Sequence, residues 1–261
     1  MISNSRANVV SSFTVIKGAM IEESYAVFST WDFDASKREN LNRLRQENFI
    51  GARSATWLRD VAWVLNRRFD PAGRDRPLVL LAQHGLPIEE WKPLLLWHMT
   101  RDEFLVRDFI ETWLFNAYDG GTFRVRSEDV EEYLGSIAIR GATTEHAWSE
   151  QTKKRVAAGL LKIAVDFGLL RGSITKEFVS FHLPEMSFLY LLHAMRDDNL
   201  SPVKVIASRE WRLFLMHPAD VERELLRLHQ FRKLEYHVAG SLVQLDLPCS
   251  SSSEYAERMV A

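Results

Sequence analysis

The chain of 261 residues holds one cysteine, Cys249. A lone thiol makes no internal disulfide and leaves no thiol cluster for zinc, so a reducing cytoplasm fits best. Long apolar runs are missing as well. The longest, such as PLVLLA at Pro77–Ala82, fall far short of the roughly 20 residues that a membrane helix needs. The opening MISNSRANVVSSFTVIKGAM has no uninterrupted apolar stretch of the kind a secretory signal carries. No H-E-x-x-H, C-x-x-C, G-x-S-x-G or Walker-type glycine loop is present, and the eight histidines are scattered. Asp197-Asp198 reads more simply as a helix stop than as a cation site. The expectation is a protein without metal, cofactor or enzymatic chemistry. Charge of one sign is also lacking: the formal net charge is −2, so any polyanion site must be a local patch.

Amphipathic helices dominate what is there. From Lys17 to about His98 apolar residues recur at helical spacing. GAMIEESYAVFSTWD places Met20, Ser24 or Tyr25, Phe28 and Trp31 on one side. SKRENLNRLRQENF has Ser36 as N-cap and Glu39 as its capping-box partner. SATWLRDVAWVLNRRF repeats the spacing, ends in Arg67-Arg68 and is stopped by the DPAG turn; two shorter helices follow over Arg76–His84 and Pro87–His98.

Near Thr100 the pattern changes. TRDEFLVRDFIETWLFNAYDGG reads as a helix capped by Thr100 with Glu103 completing a capping box, and TFRVR as a short strand. Ser127 caps a helix with acids in its first turn. A longer helix follows in WSEQTKKRVAAGLLKIAVDFG, then two short strands around a turn in GLLRGSITKEFVSFHLP. Helix, strand, helix, longer helix and hairpin form the winged-helix order, a relative of the helix-turn-helix. A reduced version of the order returns from MSFLYLLHAM to a hairpin around Gly240. The expected fold is mainly α: an N-terminal helical bundle (1–99), then two tandem winged-helix-like modules with small β-hairpins (100–184 and 185–261).

The longer helix of the first module divides into two faces. Val156, Leu160, Ile163 and Phe167 share one side; Gln151, Lys154, Arg155, Ala158 and Lys162 share the other. Trp148–Lys176 carries six cations (Lys153, Lys154, Arg155, Lys162, Arg171, Lys176) against two acids. Such a face is either a solvated surface or one that enters a DNA groove. Cations at a helix start oppose the helix dipole, so local helix stability does not explain them. Gln and Arg can read base edges bidentately and Lys can meet phosphate, while Arg171 and Lys176 would meet flanking backbone from the hairpin. In the second module Arg223, Arg227 and Gln230 lie opposite Val221, Leu225 and Leu228, with Leu226 close to the polar stripe. The N-terminal helices carry ten cations against five acids between Lys37 and Arg76, a pattern that also serves solubility. His146 and His182 flank the longer helix and the hairpin within reach of a phosphate.

The segments WSEQTKKRVAAGLLKIAVDFGLLRG, LPEMSFLYLLHAM and SREWRLFLMHPADVERELLRLHQFRKLEYHVAGSLVQLDLP, with KGAMIEESYAVFSTWD near the start, resemble in order the BrxA family of BREX bacteriophage-exclusion systems. The resemblance implies a small, mostly helical bacterial antiviral accessory protein with helix-turn-helix or winged-helix features. It implies double-stranded DNA as partner, no membrane, and a place beside a methyltransferase, an alkaline-phosphatase-like protein and a large ATPase. A rival expectation is an adaptor that docks those subunits without touching DNA, using aromatic residues that include eight tryptophans as interface anchors.

Overall fold

The computed structural model describes residues 9–137, 143–144, 147–198, 200–240 and 242–259. A two-residue strand, β1 (Val9–Val10), leads into a short helix, α1 (Ser12–Lys17). Five helices follow: α2 (Ile21–Ser29), α3 (Lys37–Glu47), α4 (Ala55–Arg68), α5 (Arg76–Gln83) and α6 (Ile88–Thr100). Helices α2 to α6 lie where the periodicity predicts them. The Ser36 hydroxyl accepts the Glu39 N–H at 3.2 Å, and the Glu39 carboxylate accepts the Ser36 N–H at 2.7 Å, closing the expected capping box. Both β1 and α1 are additions to the sequence reading. Two turns of helix are too short to display a period.

Residues 104–119 form one helical rod in three parts: α7 (Phe104–Asp108), a π-helical turn over Phe109–Leu114, and α8 (Phe115–Asp119). Its start corrects the sequence reading. Thr100 belongs to the end of α6 and its hydroxyl turns back to the Trp97 carbonyl at 2.9 Å, while Glu103 precedes α7 and makes no cap. Then come β2 (Arg124–Val125), α9 (Ser127–Gly135), β3 (Thr143–Thr144), α10 (Glu150–Asp166), β4 (Leu170–Arg171) and β5 (Lys176–Phe178). Arg126 rather than Ser127 is the residue before α9, and its N–H donates to Asp129 at 2.7 Å. Strands β2, β5 and β4 make a three-stranded antiparallel sheet in that order, and β1 pairs in parallel with β3.

The remaining elements are α11 (Glu185–Asp197), α12 (Pro202–Ile206), a 3₁₀ turn over Arg209–Phe214, α13 (Pro218–Gln230), the hairpin β6 (Glu235–Ala239) and β7 (Leu242–Asp246), and α14 (Ser252–Met259). Gly240, with φ +62°, turns the hairpin where the sequence puts it. Helix α14 is not apparent in the polar C-terminal sequence. It packs across α5 and α11, buries Tyr255 and Ala256, and is tied at its start by Asp197, whose carboxylate accepts the Ser252 N–H at 3.0 Å and its hydroxyl at 2.5 Å.

One apolar core runs through these elements, and two buried polar assemblies join its parts. In the first, Arg68 at the end of α4 is 0% exposed and Glu103 2% exposed. Arg68 Nε donates to Glu103 at 3.1 Å, and its other nitrogens reach the carbonyls of Thr14, Gly18 and Ala19 at 3.0–3.1 Å. The second Glu103 oxygen accepts the Thr14 hydroxyl at 3.0 Å. Burial pushes the Arg68 pKa down and the Glu103 carboxylate opposes the shift. In the second assembly His98 on α6 lies 2.7 Å from Asp75 and 2.8 Å from the Tyr190 hydroxyl on α11. Burial lowers the His98 pKa, so the ring is neutral. With a carboxylate at Nδ1, that nitrogen holds the proton, and Nε2 accepts from Tyr190.

Arg68→Met removes the charge and keeps the length, leaving Glu103 buried without its cation. The expected loss is about 3–5 kcal/mol, read as a lower urea midpoint. The double variant Arg68→Met/Glu103→Leu should recover part of it, because no buried charge is then stranded.

Candidate nucleic-acid interface

Helix α10 begins where the Ser149 hydroxyl accepts the Thr152 N–H at 3.2 Å, with Glu150 in the first turn. Val156, Leu160, Ile163 and Phe167 are buried, as the spacing predicts. Two neighbours pack against it, α9 and α1. The α1 contact depends on Gly159: a Cβ there would sit 2.8 Å from the Val15 carbonyl oxygen. Gln151, Lys154, Arg155, Ala158 and Lys162 remain exposed.

These cations are not equivalent. Lys153 pairs with Glu150 at 2.7 Å, one turn back, and Lys162 pairs with Asp166 at 2.8 Å, one turn on. Lys154 and Arg155 are exposed and, among the described residues, have no ion-pair partner. The free positive charge of α10 is therefore concentrated in its first two turns.

The three-stranded sheet stands beside α10. Its tight turn between β4 and β5 uses Gly172 at φ +109°, where a Cβ would strike the Thr175 carbonyl at 2.4 Å. Ile174 projects from this turn at 84% exposure. Arg171 is exposed and lies 3.4 Å from Glu177, which also pairs with Arg124 at 3.0 Å. Arg126 reaches Thr175 at 3.1 Å. Lys176 departs from expectation: it is only 8% exposed, and its ammonium donates to the Ser173 carbonyl. Burial lowers its pKa. Lys176 thus braces the turn from inside and is turned away from any phosphate in front of it. Arg124 and Arg126 are cations of this surface that the sequence reading misses. Sheet pairing between β2 and β5 brings them there, and the only local signal was the alternation of TFRVR.

On α13 most of the expected cations are already engaged. Arg223 pairs with Asp220 at 2.5 Å, and Arg227 is held by Glu224 at 2.6 Å and Glu185 at 2.9 Å. Hydrogen bonds to these two carboxylates push the Arg227 pKa up. Gln230 is exposed, and Leu226 is half exposed beside Arg227. His182 is exposed and borders a hollow of about 230 Å³ that Arg223 also lines; His146 lies outside the described residues.

Among the described residues no group of three His, Cys, Asp or Glu side chains is arranged to hold a metal ion. The Asp75–His98–Tyr190 chain has the groups of a proton relay, but it is sealed in the core and ties three helices together. No described helix is long and apolar enough to cross a membrane.

A mainly helical protein with a small antiparallel sheet beside a free cationic helix is the class that this geometry defines. Comparison with known families makes it specific: the BrxA family model matches residues 11–194, which run from the start of α1 into α11. The chain belongs to the BrxA family, a family of BREX phage-defence components. No curated protein matches the chain significantly.

Gly159→Ala should lower the melting temperature. The added methyl meets backbone, which yields less readily than a side chain, at a cost of about 1–3 kcal/mol. That outweighs the gain in helix propensity of about 1 kcal/mol.

Proposed function

We propose that the chain is a non-enzymatic double-stranded-DNA-binding component of a BREX system, acting in the cytoplasm, and that residues 104–178 form a winged-helix module. The order helix, strand, helix, helix and hairpin, with the first strand added to the hairpin edge, supports the second statement. Helix α10 is the reading helix and the Gly172–Thr175 turn is the wing.

The observation that carries the reading is the pair Lys154 and Arg155. Both stand in the first turns of α10, where the dipole disfavours cations. Glu150 closes its ion pair with Lys153 and acts on Lys154 only at longer range; among the described residues neither Lys154 nor Arg155 is in an ion pair. A major groove supplies what the fold withholds. Arg155 and Gln151 have the donor geometry for base edges, Lys154 suits a phosphate, and Ala158 lets the helix approach closely. Arg124, Arg126 and Arg171 extend the positive surface to the wing. A net charge of −2 fits modest affinity, and binding falls as salt rises because the gain from counterion release at each phosphate contact shrinks.

A second reading is the adaptor, favoured by a separate observation. Leu226, Phe231, Val238 and Leu242 expose apolar surface on α13 and the β6–β7 hairpin, with Leu242 75% exposed. Such residues suit docking of the methyltransferase, the phosphatase-like protein or the ATPase.

Lys154→Glu/Arg155→Glu is expected to abolish duplex binding in a gel shift over a salt series with the melting temperature unchanged, whereas Lys153→Gln should bind almost normally. A double variant that shifts DNA like the parent protein rules out α10 as the reading helix. Absence of binding by the parent even at low salt, with co-purification of another BREX subunit, supports the adaptor.

A further inference from the structure

Helix α1 separates two outward-facing surfaces. Its Phe13 meets Trp63 of α4 with ring centroids 4.7 Å apart, and Lys17 pairs with Asp60 of α4 at 2.5 Å. Val15 faces Gly159 of α10, and Thr14 points inward to Glu103. At about 100° per residue these assignments use three sides of α1 and leave Ser12 and Ile16 outward. Helix α1 therefore lies between α4 and α10, with Thr14 turned toward the core.

The outward face of α4 has an unusual composition for a surface helix. Its exposed positions are Ala55, Thr56, Arg59, Trp63 and Asn66, with no acid among them. Asp60, the one acid of α4, is turned inward; Lys17 satisfies it, and Arg59 only grazes its other oxygen at 3.8 Å. The Arg59 side chain is 69% exposed and Trp63 43% exposed. On the other side of α1, Arg155 stands one turn before Gly159, and Lys162, one turn after it, is paired with Asp166 beside Gly18. Arg155 on α10 and Arg59, Trp63 and Asn66 on α4 thus flank α1 on its two sides, and the cation of α1, Lys17, is paired with Asp60.

We infer that the outward face of α4, through Arg59, Trp63 and Asn66, is a second contact with the same duplex and grips the sugar–phosphate backbone beyond the groove that α10 occupies. This extension rests on the duplex-DNA reading of α10. Packed helices lie about 8–10 Å apart, so the axes of α4 and α10 are separated by up to about 16–20 Å. A major groove is about 12 Å wide. With α10 in the groove, α4 lies past its rim, where only backbone is within reach. Arginine with its planar fork, an amide and an indole are suited to phosphate and sugar and carry no sequence code. The N-terminal helices therefore add affinity and footprint length rather than base preference.

Fluorescence anisotropy on the full chain tests this with two labelled duplexes, one of about one helical turn (~10 bp) and one of about two turns (~20 bp). Arg59→Glu should weaken binding to the longer duplex about tenfold and flatten its salt slope by about 1, with little change on the shorter one. Asn66→Lys adds a cation at an exposed position of the same face and should tighten binding to the longer duplex and steepen its slope. Equal melting temperatures establish that both variants are folded. If both bind the longer duplex with parental affinity and slope while Lys154→Glu/Arg155→Glu abolishes binding, the α4 contact is overturned and the α10 reading stands. If Lys154→Glu/Arg155→Glu binds normally, the α10 reading fails and takes this extension with it.

Discussion

The buried pair of Arg68 and Glu103 is the constraint around which the rest is arranged. A guanidinium taken out of water requires nearly every N–H to be met, and a carboxylate beside it requires the same of its oxygens. Arg68 meets its requirement with Glu103 and the carbonyls at the end of α1 and the turn after it. That turn runs through Gly18 at φ +86° and Met20 at φ +54°, left-handed conformations that aim the carbonyls inward. The ion pair therefore fixes α1, the end of α4 and the start of α7 relative to one another. A desolvated pair of this kind need not add net stability, but it accepts few alternative arrangements.

The consequence for α10 is direct. Once α1 is positioned, Val15 presents its carbonyl to Gly159, and the only residue without a side chain in the middle of α10 allows the two helices to close. The apolar side of α10 is then covered, α1 and α9 pack against it, and a single face is left outward. Charge on that face is sorted by spacing. Cations that close an ion pair with an acid three or four positions away are neutralised within the helix; Lys154, four positions after Glu150, loses that pairing to Lys153, and Arg155 has no acid at either spacing. The same rule removes most of α13 from consideration, since Asp220, Glu224 and Glu185 hold its arginines.

Much of this was legible in the sequence, for reasons that can be separated. Helices α3, α4 and α10 are long enough to show their period, and Ser36 with Glu39 closes a motif whose two partners are three residues apart. Glu103 follows Thr100 at the same spacing and deceives, because a buried arginine 35 residues earlier competes for it and wins. Lys176 looked like a wing cation because only its neighbours in the folded sheet reveal that it points inward. Helices α1 and α14, the β1–β3 pair and the π turn depend on partners distant in sequence, so no local pattern announces them. The pairings of Lys153 and Lys162 are different. Glu150 and Asp166 stand at i−3 and i+4 and were available to spacing alone.

The parallel pairing of Val9 with Thr143 and Val10 with Thr144 has a consequence for how the protein comes into being. The first described strand finds its partner only after the helices between them have been made, and α1 waits longer still for α10. At ribosomal rates of about 5–20 residues per second, a delay of roughly 140 residues lasts on the order of ten to thirty seconds. Through that interval Val15 and the inward side of α1 have no α10 to lie against. A nascent chain thus passes through a stage in which its N-terminal helices are formed and α10 does not yet exist. Acquisition of the cationic face is one of the later events of synthesis, after the N-terminal scaffold that aims it is in place.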